Sequence, residues 1–393
     1  MKHILFVEYS FPSQTPFLRY KFQTLSKDFP IYFASKQGKK ERIDYQKKFG
    51  PASLISLENP GKRPLEFAPV FLLFCLTRPV AMIRFFRFCV RKKGSNQGLK
   101  WFLQCFPLIQ KKWDLIHFEF GTIAHELIFV ADFFKAKVIT SFRGYDIAYV
   151  GLNQPNYYKE VWEKSTMVHF LGEDLLNKGI QRGFPRGNPY FLASPAIFID
   201  QFPPKLRTLP TDLPVQLVSV GRLTWKKGYM IGLMAMKKLM EQQISFTYHI
   251  VGSGEDEQAI RFHIHDLGLQ DFVLLHGRKS PQEVAEILNQ AHIFFHPAIS
   301  EGFCNAVVEA QSMGLPVVCS DAEGLSENIE NGVTGLLFQR RDANMAADKI
   351  IQILKNPELY QGMNQAGPLR VATHFDIRKQ VDIFSNIYWK LLG

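Results

Sequence analysis

The chain has 393 residues, a length that predicts two domains, and 46% of its residues are hydrophobic while 21% are charged. That balance excludes a disordered or collagen-like chain. The net charge of +11 is uneven, because residues 1–200 carry 29 lysines and arginines against 16 acidic residues, whereas residues 201–393 carry 18 against 20. A basic half next to a nearly neutral half indicates two surfaces with different partners.

The cysteines and the apolar runs exclude a secreted scaffold. Five cysteines without a C-x-x-C pair fit neither a disulfide framework nor a zinc site, and they suit a reducing cytoplasm. The apolar stretch after Met1 is too short for a signal peptide. The longest apolar run, Phe67–Leu76, is well short of the ~20 residues that a spanning helix needs. We therefore expect a cytoplasmic protein.

The segment from Phe67 to Trp113 contains no acidic residue, and its basic residues are interleaved with phenylalanines. Helices of this composition lie on anionic lipid surfaces, which predicts a peripheral location on the inner face of the cell membrane. The alternative is an ordinary helical pair whose apolar face packs on a domain core. We expect no nucleic acid partner, since no recognised binding motif accompanies the charge.

Short apolar runs alternate with longer helical patterns in both halves of the chain. The alternation predicts an α/β protein with two doubly wound parallel sheets, joined by the proline-rich stretch Ser194–Thr211. Two such domains in series should place a ligand cleft between the carboxyl ends of their strands. The predicted strands are His3–Val7, Ile31–Ala34, Leu115–Phe118, Lys137–Ser141, Met167–Leu171, Val215–Val220, Phe246–Val251, Phe272–His276, Ile293–His296 and Pro316–Ser320. The predicted helices are Phe17–Lys27, Ile123–Phe134, Gly228–Gln242, Glu255–Leu267, Pro281–Ala291 and Asn305–Met313.

Two glycine-containing turns follow predicted strands in the second half. After the predicted strand Val215–Val220, Gly221 permits a sharp turn. Arg222 then supplies a planar cationic fork and Lys227 a mobile point charge, and both suit phosphate oxygens. The alternative is a charged surface turn. The next strand ends in Gly252 and Gly254, a G-x-G without the third glycine of a dinucleotide fingerprint, which predicts only a close approach of backbone.

The strongest pattern is a strand, a glycine turn and a helix with two spaced glutamates. Glu301 and Glu309 are eight residues apart, up to ~12 Å along a helix, so two carboxylates can accept hydrogen bonds from sugar hydroxyls at two ends of an extended nucleotide. The alternative for Glu309 is a solvated first helical turn. The first free amides of the helix attract a diphosphate, and they belong to residues around Gly302, Phe303, Cys304 and Asn305.

These motifs, in this order, resemble glycosyltransferase family 4, and in particular its colanic acid and exopolysaccharide subgroup. The specific resemblance covers most of residues 215–340 and lies in segments 221–228, 301–309, 310–318 and 327–337. A looser resemblance in the first half lies in segments 11–17, 114–122 and 140–146.

The resemblance implies a GT-B fold of two Rossmann-like domains and a retaining, metal-independent hexosyltransferase. Such an enzyme would move a sugar from a nucleotide-diphosphate sugar to a lipid-linked or cell-surface polysaccharide acceptor, without a cofactor. It implies an acceptor-binding domain over residues 1–205, a donor-binding domain over 206–373, and a C-terminal helix over 374–393 that returns to the first domain.

The resemblance also implies roles for single residues. Arg222 and Lys227 would neutralise the leaving diphosphate, and Glu301 would orient the transferred sugar; these three form the predicted catalytic set. Glu309 would hold the ribose, and Arg278 would lie near the base. The other predicted donor-binding residues are Gly252, Gly254, Gly302, Phe303, Cys304 and Asn305. The predicted acceptor-side residues are Thr15, His117, Glu119, Arg143 and Asp146.

One departure from the family pattern keeps other functions open. Many members have a second histidine two residues after the first in the segment around Asp114, and Glu119 stands there in this chain. A non-catalytic nucleotide-sugar-binding partner subunit or sensor is therefore an alternative, although the intact set of cations and glutamates disfavours it. A GT-B phosphorylase or epimerase is a further alternative.

Overall fold

A computed structural model describes residues 2–9, 16–36, 53–57, 64–209 and 214–393. The chain forms two compact α/β units: unit 1 comprises the chain up to Ala193 together with Val381–Gly393, and unit 2 is Ser194–Gln380. The boundary between the units lies before residue 205, the position predicted from the sequence. Ile197 already belongs to unit 2, where it forms a β-bridge with Asp376. The binding roles predicted for the two domains stay predictions.

Unit 1 is built on a parallel sheet whose strands are almost entirely buried, as expected for a sheet covered by helices on both faces. The strand order is β3-β2-β1-β4-β5-β6-β7. The strands are β1 Ile4–Glu8, β2 Ile31–Ser35, β3 Ser53–Ser56, β4 Leu115–Phe118, β5 Lys137–Phe142, β6 Met167–Phe170 and β7 Tyr190–Leu192. Its helices are α1 Pro16–Leu25, α2 Pro64–Thr77, α3 Pro79–Lys93, α4 Ser95–Cys105, α5 Gly121–Leu127, α6 Phe129–Phe134, α7 Gly144–Ala148, α8 Lys159–Lys164 and α9 Glu173–Gln181.

Unit 2 repeats this architecture with a second parallel sheet, in the order β10-β9-β8-β11-β12-β13. Its strands are β8 Val215–Val220, β9 Phe246–Val251, β10 Val273–Leu275, β11 Ile293–His296, β12 Val317–Ser320 and β13 Gly335–Phe338. Its helices are α10 Tyr229–Glu241, α11 Glu257–Asp266, α12 Pro281–Gln290, α13 Asn305–Ser312, α14 Leu325–Asn328, α15 Ala343–Leu354 and α16 Pro357–His374.

The last helix, α17 Ile377–Leu392, supplies part of the core of unit 1. Phe384 and Tyr388 are buried there against the apolar residues of β1 and α1, including Phe6. The Tyr388 hydroxyl also lies 2.5 Å from a ring nitrogen of His117 in β4. The C-terminal segment therefore completes the fold of a unit whose other residues lie almost 200 positions earlier in the chain.

In each sheet, the first strands are added toward one edge and the later strands toward the other edge, so the strand order reverses at one point. In unit 1 this switch point lies between β1 and β4, and in unit 2 it lies between β8 and β11. Ligands of open α/β sheets bind outside the carboxyl ends of the strands at such points. The residues that directly follow these four strands are therefore the first candidates for function.

All ten predicted strands are present, so the predicted α/β class with two parallel sheets is confirmed. The prediction missed β3, β7 and β13, which are short strands of three or four residues. The helix predicted over Ile123–Phe134 consists of two helices, α5 and α6, with Ile128 between them.

In the described ranges, no single helix is both long enough and apolar enough to cross a bilayer. Two consecutive segments, Phe67–Thr77 and Pro79–Lys93, meet these criteria of length and composition only as a pair, and they are bent by 111° where they meet.

Candidate functional site

The loop after β8 packs against the end of β11 at the switch point of unit 2. Residues Trp225–Lys227 form a short 3₁₀ turn, and Gly228 follows with a φ of +66°. A Cβ atom at Gly228 would lie 1.9 Å from the carbonyl oxygen of Pro297, so only glycine fits this position. The Lys226 carbonyl accepts hydrogen bonds from the amides of Ile299 and Ser300, at 2.7 and 3.2 Å, which joins the two loops.

This junction brings the predicted catalytic residues Lys227 and Glu301 into direct contact. The Lys227 ammonium donates a hydrogen bond to the Glu301 carboxylate, and both side chains are largely buried. Burial alone would raise the pKa of Glu301, but the charge of Lys227 and the proximity of His296 outweigh it and lower the pKa to about 2. Glu301 is therefore a permanently ionised hydrogen-bond acceptor at the switch point.

His296, the last residue of β11, is a member of this cluster that the sequence analysis missed. Its Nε2 atom lies 3.6 Å from Glu301, and no hydrogen-bond partner for Nε2 is present in the described ranges. Potential ligand atoms of His296, Glu301 and Cys304 all lie within 4.8 Å of one another, a donor set that could hold a metal ion. The signal in the sequence was a histidine at the end of a buried strand.

Cys304 is the residue before α13, and its surroundings change both its thiol and its amide. Burial alone would raise the pKa of the thiol, but His296 and Lys227 lower it below its ordinary value. The Cys304 amide donates a hydrogen bond to the Asn328 side chain at 3.0 Å. This bond corrects the expectation that the amide is free for a diphosphate. Gly302 and Phe303 are half-buried in the preceding turn, and Asn305 is exposed at the first position of α13.

Glu309 lies in the second turn of α13 and is half-buried, so the alternative of a solvated first turn is wrong. Burial raises the pKa of its carboxyl to about 7. Glu301 and Glu309 therefore differ in charge state near neutral pH although they flank the same helix start. The lysine beside Glu301 accounts for this difference.

The remaining predicted donor-binding residues also lie at the carboxyl ends of the strands of unit 2. Gly252 has a φ of +148°, and a Cβ there would lie 1.8 Å from the carbonyl oxygen of Gly221. Its amide donates to the Gly277 carbonyl at 2.9 Å, which connects the ends of β9 and β10. Gly254 follows at the same edge. Arg222, in the loop after β8, and Arg278, in the loop after β10, are exposed cations at this edge.

The acceptor-side residues were predicted in unit 1, and His117 lies inside its core. Its side chain is fully buried within β4. One ring nitrogen lies 2.5 Å from the Tyr388 hydroxyl and the other 2.8 Å from the Ser141 hydroxyl. Burial holds the pKa of His117 well below its ordinary value. A direct contact between His117 and an acceptor would require one of these hydrogen bonds to break.

Glu119 follows β4 and is buried between two cations. Its Oε1 atom accepts from the ammonium of Lys21 on α1, and its Oε2 atom accepts from the guanidinium of Arg143 at 3.2 Å. Burial alone would raise the pKa of Glu119, but Lys21, His117 and Arg143 lower it to about 2. The glutamate that departs from the family pattern is thus a well-compensated buried charge.

Asp146 is buried and accepts hydrogen bonds from the backbone at the start of α7. Its carboxylate accepts from the amide and hydroxyl of Thr122, at 3.1 and 2.8 Å, and from the amide of Arg143 at 3.0 Å. These bonds fix the loop after β5 and orient Arg143. Thr15, the remaining acceptor-side prediction, lies outside the described residues.

The comparison with protein-family models decides the family of the second unit. Residues 208–370 match the model of glycosyl transferases group 1. This segment is a glycosyltransferase group 1 domain. It contains both loops of the switch point and every donor-binding and catalytic residue predicted from the sequence.

The matches to curated relatives extend beyond the group 1 domain into unit 1. The chain is 29% identical to the amylovoran biosynthesis glycosyltransferase AmsK of Erwinia amylovora over 271 residues, which cover 67% of this chain and 66% of that protein. It is 28% identical to the putative colanic acid biosynthesis glycosyltransferase WcaL of Escherichia coli over 224 residues, 55% of each chain. The chain thus matches between about half and two thirds of the length of these relatives.

Solved structures show the fold of both units. A glycosyltransferase from Rickettsia africae superimposes with a TM-score of 0.72 at 18% identity and covers 100% of this chain and 99% of its own. HepE from Anabaena, solved in complex with UDP, gives a TM-score of 0.74 at 14% identity, covering 99% and 100%. The chain has the GT-B fold that was expected.

Proposed function

We propose that this protein is a retaining glycosyltransferase that moves a hexosyl group from a nucleotide-diphosphate sugar to a glycan acceptor in polysaccharide biosynthesis. The observation that carries the proposal is the contact of Lys227 with Glu301 at the switch point of a group 1 domain. The names of the relatives, which act in amylovoran and colanic acid biosynthesis, support the class of product. The solved complex of HepE with UDP supports a nucleotide diphosphate as the ligand of unit 2.

Different residues of unit 2 bind different parts of the donor. Lys227 and Arg222 place positive charge where the diphosphate leaves, and Glu301 accepts hydrogen bonds from hydroxyls of the transferred sugar. Glu309, in the second turn of α13, accepts from the ribose hydroxyls. Because Lys227 also holds Glu301, binding of the diphosphate and of the sugar depends on the same ammonium group.

The proposed chemistry needs positioning and charge stabilisation rather than a covalent intermediate. The bond between the anomeric carbon and the diphosphate oxygen breaks, and an acceptor hydroxyl forms the new bond on the same face of the sugar. The proton of that hydroxyl passes to the departing diphosphate. The charge on the diphosphate is compensated by the two cations, so metal independence is part of the proposal.

A donor panel tests this function. Purified protein is incubated with UDP- and GDP-sugars, with and without a lipid extract that contains lipid-linked glycans, and released nucleotide diphosphate is measured. We expect one donor to raise the unfolding temperature and to be consumed faster when the extract is present. Donor binding without consumption would instead support the nucleotide-sugar sensor, and no binding of any nucleotide would contradict the proposal.

We propose in addition that the acceptor is lipid-linked and that unit 1 lies on an anionic membrane surface. Phe71 on α2 and Phe85 on α3 pack inward on Phe106 and Phe133, so the pair of helices does pack on the core. Its outer surface is nevertheless apolar, with Leu76 73% exposed and Val80 68% exposed. Basic side chains surround these apolar residues, and no acidic residue occurs between positions 67 and 113.

A vesicle flotation experiment tests the membrane proposal. The exposed residues Arg84, Arg87 and Arg91 on α3 are changed to Glu, while Lys92 is kept because it lies 2.9 Å from Asp132 in an ion pair. At about 1 kcal/mol for each basic residue near the surface, we expect binding to vesicles with phosphatidylglycerol to fall by about 100-fold or more.

The matched control changes three exposed cations of unit 2, in the variant K238E/R341E/K355E, which alters the net charge equally. We expect this control to float with the vesicles as the wild type does. Equal loss of binding in both variants, or wild-type protein that ignores anionic vesicles, would contradict the membrane proposal.

A further inference from the structure

A second carboxyl group, that of Glu8, lies beside Glu119 at the switch point of unit 1. Val7 of β1 pairs with Phe118 of β4, and the amide of Glu119 donates to the carbonyl of Val7 at 3.0 Å. Glu8, the last residue of β1, and Glu119, the residue after β4, therefore lie at the same level of the sheet, about one strand spacing, ~4.8 Å, apart. Sequence patterns gave no signal for this pair, because its members are more than a hundred positions apart.

The two carboxyl groups differ in their partners. Glu119 uses both of its oxygens for Lys21 and Arg143. Glu8 is only 3% exposed, and within the ranges that the structure describes its Oε1 atom has no hydrogen-bond partner. A buried polar atom without a partner is energetically unfavourable, so this carboxyl group is poised to bind a polar ligand.

The surroundings of Glu8 favour its protonated form. Burial raises its pKa well above the ordinary value, and the charge of Glu119 raises it further, against smaller opposing effects of Lys21 and Arg143. A protonated carboxyl can donate one hydrogen bond and accept another, as a sugar hydroxyl can. Glu8 and a hydroxyl group are therefore complementary without any net charge on the ligand.

Two aromatic residues and an arginine, namely Tyr9, Phe120 and Arg143, are neighbours of this pair and suit a sugar ring. Tyr9 is 40% exposed and its ring lies 5.6 Å from that of Phe120. The guanidinium of Arg143 stacks over Phe120 at 4.9 Å. Aromatic rings can pack on the apolar face of a sugar, and a guanidinium can donate hydrogen bonds to its hydroxyls, so these neighbours of the pair suit a neutral polyhydroxylated ligand.

We propose that Glu8, with Glu119 beside it, forms the floor of the acceptor site and exchanges hydrogen bonds with a sugar hydroxyl of the acceptor. This inference rests on the proposed function and adds a binding residue that the family motifs do not include. It concerns only unit 1, so it is separable from donor binding by unit 2.

Two substitutions test the inference. E8Q keeps a donor and an acceptor in the same shape, whereas E8L removes both. In transfer assays with the lipid extract as acceptor source, we expect E8L to lower acceptor-dependent turnover by about tenfold or more, and E8Q to keep most of the wild-type turnover. Binding of UDP or GDP, measured by thermal shift, should match the wild type in both. E126Q, at a half-exposed carboxylate of the same unit, is the control.

A spectroscopic measurement covers the possibility that E8L does not fold. The band of protonated carboxylic acids in the infrared spectrum at neutral pH should be weaker in E8Q than in the wild type, whereas E126Q should match the wild type. Equal bands in E8Q and the wild type, or normal turnover by folded E8L, would overturn the role of Glu8. Failure of the wild type to bind nucleotide or to turn over any donor would instead remove the proposed function itself.

Discussion

The two units have the same parallel-sheet topology but present opposite chemistry at their switch points. In unit 2 the loop after β8 supplies cations, Arg222 and Lys227, and the loop after β11 supplies a helix start and Glu301. In unit 1 the strands adjoining the switch point carry carboxyl groups at their ends, Glu8 as the last residue of β1 and Glu119 directly after β4, and the cations Lys21 and Arg143 are paired with Glu119. A shared scaffold thus leaves ligand choice to the few residues that end its central strands.

The comparison also shows how one neighbouring charge sets the state of a buried carboxyl group. Glu301 and Glu119 each contact a lysine, and the pKa of each is lowered to about 2. Among the residues that the structure describes, no lysine contacts Glu309 or Glu8, and burial raises the pKa of both. Each unit therefore combines one ionised and one more readily protonated carboxyl group. The following predictions test this assignment.

The largest effect is expected when the buried lysine of unit 1 is removed. K21M leaves Glu119 without its closest cation in a site where both side chains are about 1% exposed, so we expect a loss of roughly 3–5 kcal/mol in the free energy of unfolding. Urea denaturation measures the loss. The exposed pair of Lys159 with Glu163 is the control, and K159M should cost less than about 1 kcal/mol. Equal effects would contradict the account of unit 1.

In unit 2 the corresponding change should affect the reaction more than the fold. In the proposed reaction K227M removes a charge that stabilises the leaving diphosphate, and we expect kcat to fall by roughly 10²–10³-fold. K355M, at an exposed lysine of the same unit, should leave kcat within about twofold. Steady-state kinetics with the donor found in the panel provide the test, and a K227M enzyme with normal kcat would show that Lys227 plays no part in transfer.

Donor affinity should depend on pH through Glu309. Its pKa of about 7 means that the carboxylate, which accepts hydrogen bonds from hydroxyls, becomes populated as the pH rises through that value. We expect the Kd of an intact nucleotide sugar to decrease between pH 6 and pH 8, and the Kd of E309Q to change much less. Calorimetry with the sugar nucleotide, rather than the free nucleotide, avoids titration of a terminal phosphate. Parallel curves for both proteins would contradict this role.

The smallest effect is expected from metal removal. Because we propose that Lys227 and Arg222 compensate the charge of the diphosphate, dialysis against EDTA should change the transfer rate by less than about twofold. A large loss that added divalent metal restores would contradict metal independence. It would direct attention to the cluster of His296, Glu301 and Cys304, whose geometry could hold an ion.

The sequence predicted the sheets well because their strands are continuous buried runs, such as Val215–Val220 and Phe246–Val251. It missed β3, whose four residues begin and end with serine, since a short polar-flanked strand has no distinct period. The break at Ile128 was invisible because the apolar residues of α5 and α6 continue across it.

The site was predictable where its residues are close in sequence or form a motif. Lys227 and Glu301 were predicted as partners of one ligand, although their direct contact was not. His296 and Glu8 were missed because each is a single polar residue at the end of an apolar strand, and only the register of neighbouring strands reveals its partner. His117 was assigned to the acceptor side, and a strand position alone does not show that a side chain is fully buried.

A crystal structure of the protein with UDP or GDP is the most direct test of the central claim, that the cations and the helix start of unit 2 receive a diphosphate. The account predicts phosphate oxygens within hydrogen-bond distance of Lys227 and Arg222, with the ribose hydroxyls on Glu309. A nucleotide bound in unit 1, or one that leaves the ion pair of Lys227 with Glu301 without any phosphate contact, would contradict it.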